Sequence, residues 1–135
     1  MKSSKTQKQI IGGLGEDIAC KFLKDKGFEI VTRNYRKKFG EIDVVAKKTN
    51  RLHFVEVKTI SKENLREVVL EEGDVFRPED NAHPLKLKRL SRAIQAYLFE
   101  KKIGEEGDWQ FDILTVLLDV KNKVAKVKLL ENIIL

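Results

Sequence analysis

At 135 residues and 15.6 kDa, with 41% hydrophobic and 36% charged residues, the chain has material for one core and not for two, because domains of this size bury roughly 68% of their unfolded surface in a single core. The 27 Lys and Arg against 21 Asp and Glu leave a net charge of +6, which biases the surface toward polyanions without choosing among them. The longest uncharged apolar run, 113–118, is far short of the roughly 20 residues of a membrane span, and the start lacks an apolar signal core. The single Cys20 excludes an internal disulfide and a zinc knuckle, so a reduced, cytoplasmic protein with no membrane partner is expected.

Residues 1–10 carry little to bury and are expected to form a flexible arm. Leu14, Ile18, Ala19, Phe22 and Leu23 recur at helical spacing and predict a first helix over 14–26, stopped by Gly27. Gly15 lies within that apolar stripe, where a missing side chain admits a neighbouring element, and Glu16 at its edge can look inward. The run Gly12-Gly13-Leu14-Gly15 lacks the third glycine of a dinucleotide fingerprint, since Ile18 stands there, and reads as a plain helix start. A short strand is predicted over 28–31. It is followed by the basic run 33–38, in which Arg33, Arg36, Lys37 and Lys38 are expected to contact phosphate and Tyr35 to offer a stacking surface.

Two β-rich runs, 41–46 and 52–59, flank a polar loop and predict an antiparallel hairpin. Residues 60–83 read as an irregular or mobile connection with a short helix around 64–71. Pro84 suits a helix first turn, and Leu87, Leu90, Ala93, Ile94, Tyr97 and Leu98 form an apolar stripe reaching about residue 102. Lys86 lies beside the stripe, and Lys88, Arg89 and Arg92 lie opposite it. A second hairpin is predicted from 109–118 and 124–130. Neither His53 nor His83 has a companion nucleophile, and neither is assigned a role.

The first hairpin carries the chemistry. A loop at 48–51 sets Lys48 opposite Arg51 and, continued along the strands, Asp43 opposite Glu56 and Glu41 opposite Lys58. Glu41, Asp43 and Val45 then share one face with Leu52, Phe54, Glu56 and Lys58, while Ile42, Val44 and Ala46 share the other with His53, Val55 and Val57. Two carboxylates on the order of 5 Å apart at Cβ repel unless a cation or proton lies between them. Mg²⁺ or Mn²⁺, which take oxygen ligands, suit that position, with Glu16 completing the ligand set from the first helix. Lys58 can hold an attacking water or steady charge developing on a phosphoryl group. The plain alternative is a set of ordinary cross-strand ion pairs.

Asp43 on one strand and Glu56-Val57-Lys58 on the next resemble the PD-(D/E)XK nuclease signature. In order along the chain, Gly15-Glu16, Phe22-Leu23, Asn34-Tyr35-Arg36, Gly40-Glu41-Ile42-Asp43, Phe54-Val55-Glu56-Val57-Lys58, Lys86 with Arg89-Leu90, Ala96-Tyr97-Leu98 and Phe111-Asp112 are similar to the YraN family of small bacterial proteins. The resemblance implies a single α/β domain over 1–135, with a restriction-endonuclease-like core in which a central mixed sheet is flanked by helices. It further implies a resolvase-like, Mg²⁺- or Mn²⁺-dependent endonuclease acting on DNA, branched DNA included, and a homodimer. Carried over residue by residue, Glu16, Asp43, Glu56 and Lys58 match the catalytic set and Asp43, Glu56 and Glu16 the metal ligands. Lys86 and Arg89 match basic positions that face nucleic acid, and Asp112 is read as structural. Thr59-Ile60 and Gln110 depart from the family pattern, and the stretch 60–75 exceeds the usual connection. The rival readings are a non-catalytic nucleic-acid-binding module and an interaction protein whose hairpin charges only fix strand pairing.

Overall fold

Thr6 opens the first helix: its hydroxyl accepts the Gln9 N–H at 3.1 Å while the Gln9 side chain accepts the Thr6 N–H at 2.9 Å, a reciprocal cap. Helix α1 therefore spans Gln7–Asp25 and starts well before the apolar stripe that predicts it. Gly12 and Gly13 lie inside it and not ahead of it, so their N–H groups belong to the helix ladder and cradle no anion. The helix stops where Gly27 takes φ +93°, a backbone conformation that side chains resist. The computed structural model describes residues 4–61, 84–104 and 106–135. The helix expected around 64–71 lies outside them.

Strands β1 (Glu29–Lys37), β2 (Gly40–Lys48) and β3 (Arg51–Ser61) form an antiparallel meander, and helix α2 (Pro84–Glu100) precedes β4 (Trp109–Asp119) and β5 (Val124–Leu130). The sheet order is β1-β2-β3-β4-β5; only β3 and β4 run parallel, so the chain must cross over between them. The result is the expected restriction-endonuclease-like α/β core, a mixed five-stranded sheet with α1 against one face and α2 against the other. Strand β1 is much longer than 28–31 because the basic run pairs with β2 through Lys37, opposite Gly40. Among the described residues, no helix is long and apolar enough to cross a membrane.

The β2–β3 register is the expected one, with Lys48 opposite Arg51 and Val44 opposite Val55. Thr49 and Asn50 close it with φ of +49° and +58°, the paired left-handed residues of a tight hairpin turn. Val44, Ala46, Val55, Leu114 and Val116 pack against Ala19 and Leu23 of α1, and Ile42, Val45, Phe54, Phe111 and Ile113 pack against Leu90, Ile94 and Tyr97 of α2. Each large side chain fully buried there, Phe54 and Phe111 foremost, contributes about 1.5–3 kcal/mol.

One expectation about the faces fails. Ile42 does not share a face with Val44 and Ala46 but belongs to the α2 side. Its partner Tyr35 also packs on the α2 side, whereas Arg33, opposite Val44, reaches α1. The alternation therefore breaks in both strands between these pairs, at Asn34, which takes φ +53°, and at Asp43 beside it.

Candidate functional site

The break frees Asp43 from both cores. The β2–β3 ladder ends at Val44 opposite Val55, and the Val57 N–H just beyond donates to Asp43 Oδ2 at 2.8 Å. The carboxylate thus takes the place of a strand carbonyl where the two strands part. Asp43 and Val57 line two adjoining hollows. One, about 630 Å³, runs under α1 past Glu16, Gly12 and Lys8. The other, about 370 Å³, is bounded by Glu56, Gly40, Glu41, Lys86 and Arg89.

Burial is the main force on Asp43 and pushes its pKa up; the Val57 N–H opposes this, the neighbouring carboxylates of Glu56, Glu16 and Glu41 add to it, and the pKa reaches about 7. Burial likewise pushes Lys58 down, assisted by the ammonium of Lys86 and opposed by Glu56 and Asp43. Glu16, Asp43, Glu56 and Lys58 are therefore electrostatic neighbours. Glu41 is not opposite Lys58 as the straight register required: it turns to Arg36 of β1, its ladder partner, at 3.0 Å. Glu16 is also 3.6 Å from Arg33, which binds Asp17 at 2.9 Å. Lys86 Nζ is ion-paired with Glu56 Oε1.

The basic residues divide into two groups. Arg36, Lys37, Lys38 and Arg89 line a single groove of about 720 Å³ with Phe39 and Arg92, and its wall at Gly40, Glu41 and Arg89 is shared with the Asp43–Glu56 hollow. Arg33 lies outside that groove, against α1. Tyr35 does not offer a free stacking face, because its ring packs edge-on against Tyr97 and its hydroxyl bonds Glu100. Its pKa is pushed up to about 12, chiefly by burial and then by Glu100. The exposed aromatic in the groove is Phe39. Gly40 lets α2 come this close: a side chain there would strike the Arg89 carbonyl oxygen.

A second polar group gathers on the α1 face of the sheet, and the sequence pattern did not reveal it. Asp112 is fully buried and satisfied by His53 Nδ1 at 2.7 Å, the Gln110 side-chain amide at 2.7 Å and the Asn132 N–H at 2.9 Å. Ligand atoms of His53, Asp112 and Glu131 lie within 4.8 Å of one another, which makes them a potential metal-binding group. The parallel pairing of β3 with β4, which sets His53 beside Gln110 and Val55 beside Asp112, brings His53 and Asp112 together, and the antiparallel pairing of β5 with β4, ending at Leu130 opposite Ile113, delivers Glu131. No local pattern in either strand encodes the parallel pairing.

The model of the uncharacterised protein family UPF0102 matches residues 15–116. A UPF0102 protein of Helicobacter hepaticus is 39% identical over 124 residues, covering 92% of this chain and 94% of the relative. One from Campylobacter lari is 40% identical over 124 residues, 92% and 93% of the two chains. A Helicobacter pylori relative is 42% identical over 118 residues, 87% and 85% of the two chains.

Proposed function

We propose that this chain, which belongs to the uncharacterised protein family UPF0102, the YraN family, is a divalent-metal-dependent endonuclease of the resolvase-like type that hydrolyses phosphodiester bonds in DNA. The observation that carries this reading is that Asp43 and Glu56, from two diverging strands, line one hollow that opens into a groove of basic side chains. The donor set fits Mg²⁺ or Mn²⁺: it is carboxylate oxygen, and Asp43, pushed up to about 7 chiefly by burial and further by the carboxylates of Glu56, Glu16 and Glu41, is a site where added positive charge is favoured. Asp43 and Glu56 would hold the ion, with Glu16 contributing directly or through water. A divalent ion there would supply positive charge to the phosphoryl oxygens and acidify the attacking water.

The chain's own groups do the rest. Lys58 orients the water, whose oxygen bonds the phosphorus as the bond to the leaving sugar oxygen breaks, and its ammonium steadies the negative charge that develops on the phosphoryl oxygens. Arg89 stands between hollow and groove, and Arg36, Lys37, Lys38 and Arg92 neutralise backbone phosphates along the groove that leads away from the hollow. Cleavage of a labelled four-way junction and of the matching linear duplex, with Mg²⁺ or Mn²⁺, tests the proposal. Asp43→Ala and Lys58→Ala are expected to lower the rate at least 100-fold, as removal of a positioned catalytic group commonly does, while retaining DNA affinity. A wild-type chain that binds both substrates and cuts neither with either metal is a binding module instead.

A further inference from the structure

Lys86 stands in the first turn of α2, where the helix macrodipole disfavours a cation. It is nevertheless ion-paired with Glu56, one of the two carboxylates of the hollow, and adjoins Lys58. The two ends of the pair differ in freedom: the Glu56 side chain is 13% exposed and that of Lys86 is 47% exposed. Below Lys86 the helix is fixed, by Leu90, Ala93 and Ile94 in the core and by the close approach of the Arg89 carbonyl to Gly40. The lysine stem can therefore swing without moving its backbone, whereas Glu56 is held on a strand. An ammonium and a dication cannot both occupy the same carboxylate without strong repulsion.

Resting on the metal-site reading above, we propose that Lys86 is a built-in counter-cation that holds Glu56 in the metal-free chain, is evicted by the incoming divalent ion, and then turns its charge to a DNA phosphate. Metal binding and DNA binding are thereby coupled through one side chain: the ion releases the lysine, and the phosphate gives the lysine a partner in place of Glu56. The arrangement also keeps the excess carboxylate charge of the empty hollow from repelling DNA.

The test is calorimetric titration of Mn²⁺ into the full chain, comparing wild type, Lys86→Met, Lys86→Arg and Asp43→Asn, each checked for folding by circular dichroism. Lys86→Met removes the competitor and is expected to bind Mn²⁺ about fivefold tighter, the measure of a partly exposed ion pair. Lys86→Arg keeps the charge and should bind as wild type does. Asp43→Asn should weaken binding at least tenfold by the loss of a ligand. In Ca²⁺, duplex affinity should fall severalfold in Lys86→Met although its ion site is tighter, a reversal that a merely structural lysine does not produce. Unchanged or weaker Mn²⁺ binding by Lys86→Met, with Asp43→Asn still impaired, overturns the lysine's role and leaves the carboxylate site standing. If neither wild type nor Lys86→Met binds Mn²⁺, both readings are overturned together.

Discussion

Asp43 is asked for opposite things by its surroundings. The Val57 N–H that it accepts favours the ionised carboxylate, while burial and the charges of Glu56, Glu16 and Glu41 favour the protonated one and prevail. A carboxylate with a raised pKa binds its proton more tightly in the folded chain than in the unfolded one. Between the ordinary value of 3.8 and about 7 the folded chain then carries the extra proton, and stability declines as pH rises through that window. In EDTA, urea midpoints of wild type are expected to fall from pH 4 to pH 7 relative to Asp43→Asn, whose amide oxygen still accepts from Val57 and never ionises. Parallel curves for the two proteins would remove the account of Asp43 as an electrostatically strained group. Hairpin spacing gave the β2–β3 register as far as Val44 and Val55; Asp43, expected opposite Glu56, lies past the end of that ladder and accepts from the Val57 N–H, and the two carboxylates share a hollow without being ladder partners. The twist that lifts Asp43 out of both cores was not readable from spacing, because it depends on the left-handed Asn34 of the neighbouring strand.

The elements are set by a few points of close approach, and α1 on β3 is the clearest. Gly15 faces Thr59, and a β-carbon at Gly15 would overlap that side chain. Gly15→Ala must push α1 away from the sheet and carry Glu16 with it, at a cost of about 1–3 kcal/mol for overpacking. Gly13 has open space around it, so Gly13→Ala in the same helix should instead stabilise by about 0.5–1 kcal/mol. Urea unfolding of the two variants should shift in opposite directions, and a shared direction would mean that α1 does not contact Thr59 in this way. The periodicity of Leu14 to Leu23 announced the helix and the placing of Gly15 announced a close neighbour. Its N-terminal turns escaped notice because they rest on the polar cap of Thr6 and Gln9 and not on apolar spacing. Strand β1 was underestimated for a related reason: its basic residues look like a loop, yet ladder bonds to β2 hold them extended at the sheet edge, where charge also deters edge-to-edge pairing.

Across the whole molecule, positive charge is unevenly spent. Arg33 is engaged by Asp17 and Glu16, whereas Arg89 and Arg92 face the groove beside the hollow. If DNA follows that groove, Arg89→Ala with Arg92→Ala should reduce the slope of log affinity against log salt by about 1–2, since each phosphate contact contributes roughly 0.9. Lys121→Ala with Lys123→Ala, at the β4–β5 turn, should leave the slope unchanged, and equal slopes for both pairs would place DNA elsewhere. By itself the sequence determined the two helices, the two hairpins, the β2–β3 register and the family, because these rest on local periodicity, tight-turn chemistry and ordered motifs. Tertiary structure alone decided that Lys86 lies on Glu56, that Glu41 turns to Arg36, and that His53 meets Asp112. The Lys86–Glu56 and His53–Asp112 contacts join residues far apart along the chain, and the crossover to a parallel β4 and the docking of α2 on Gly40 set their distances; the Glu41–Arg36 contact follows instead from the β1–β2 ladder, in which the two are partners and which the basic run disguised as a loop.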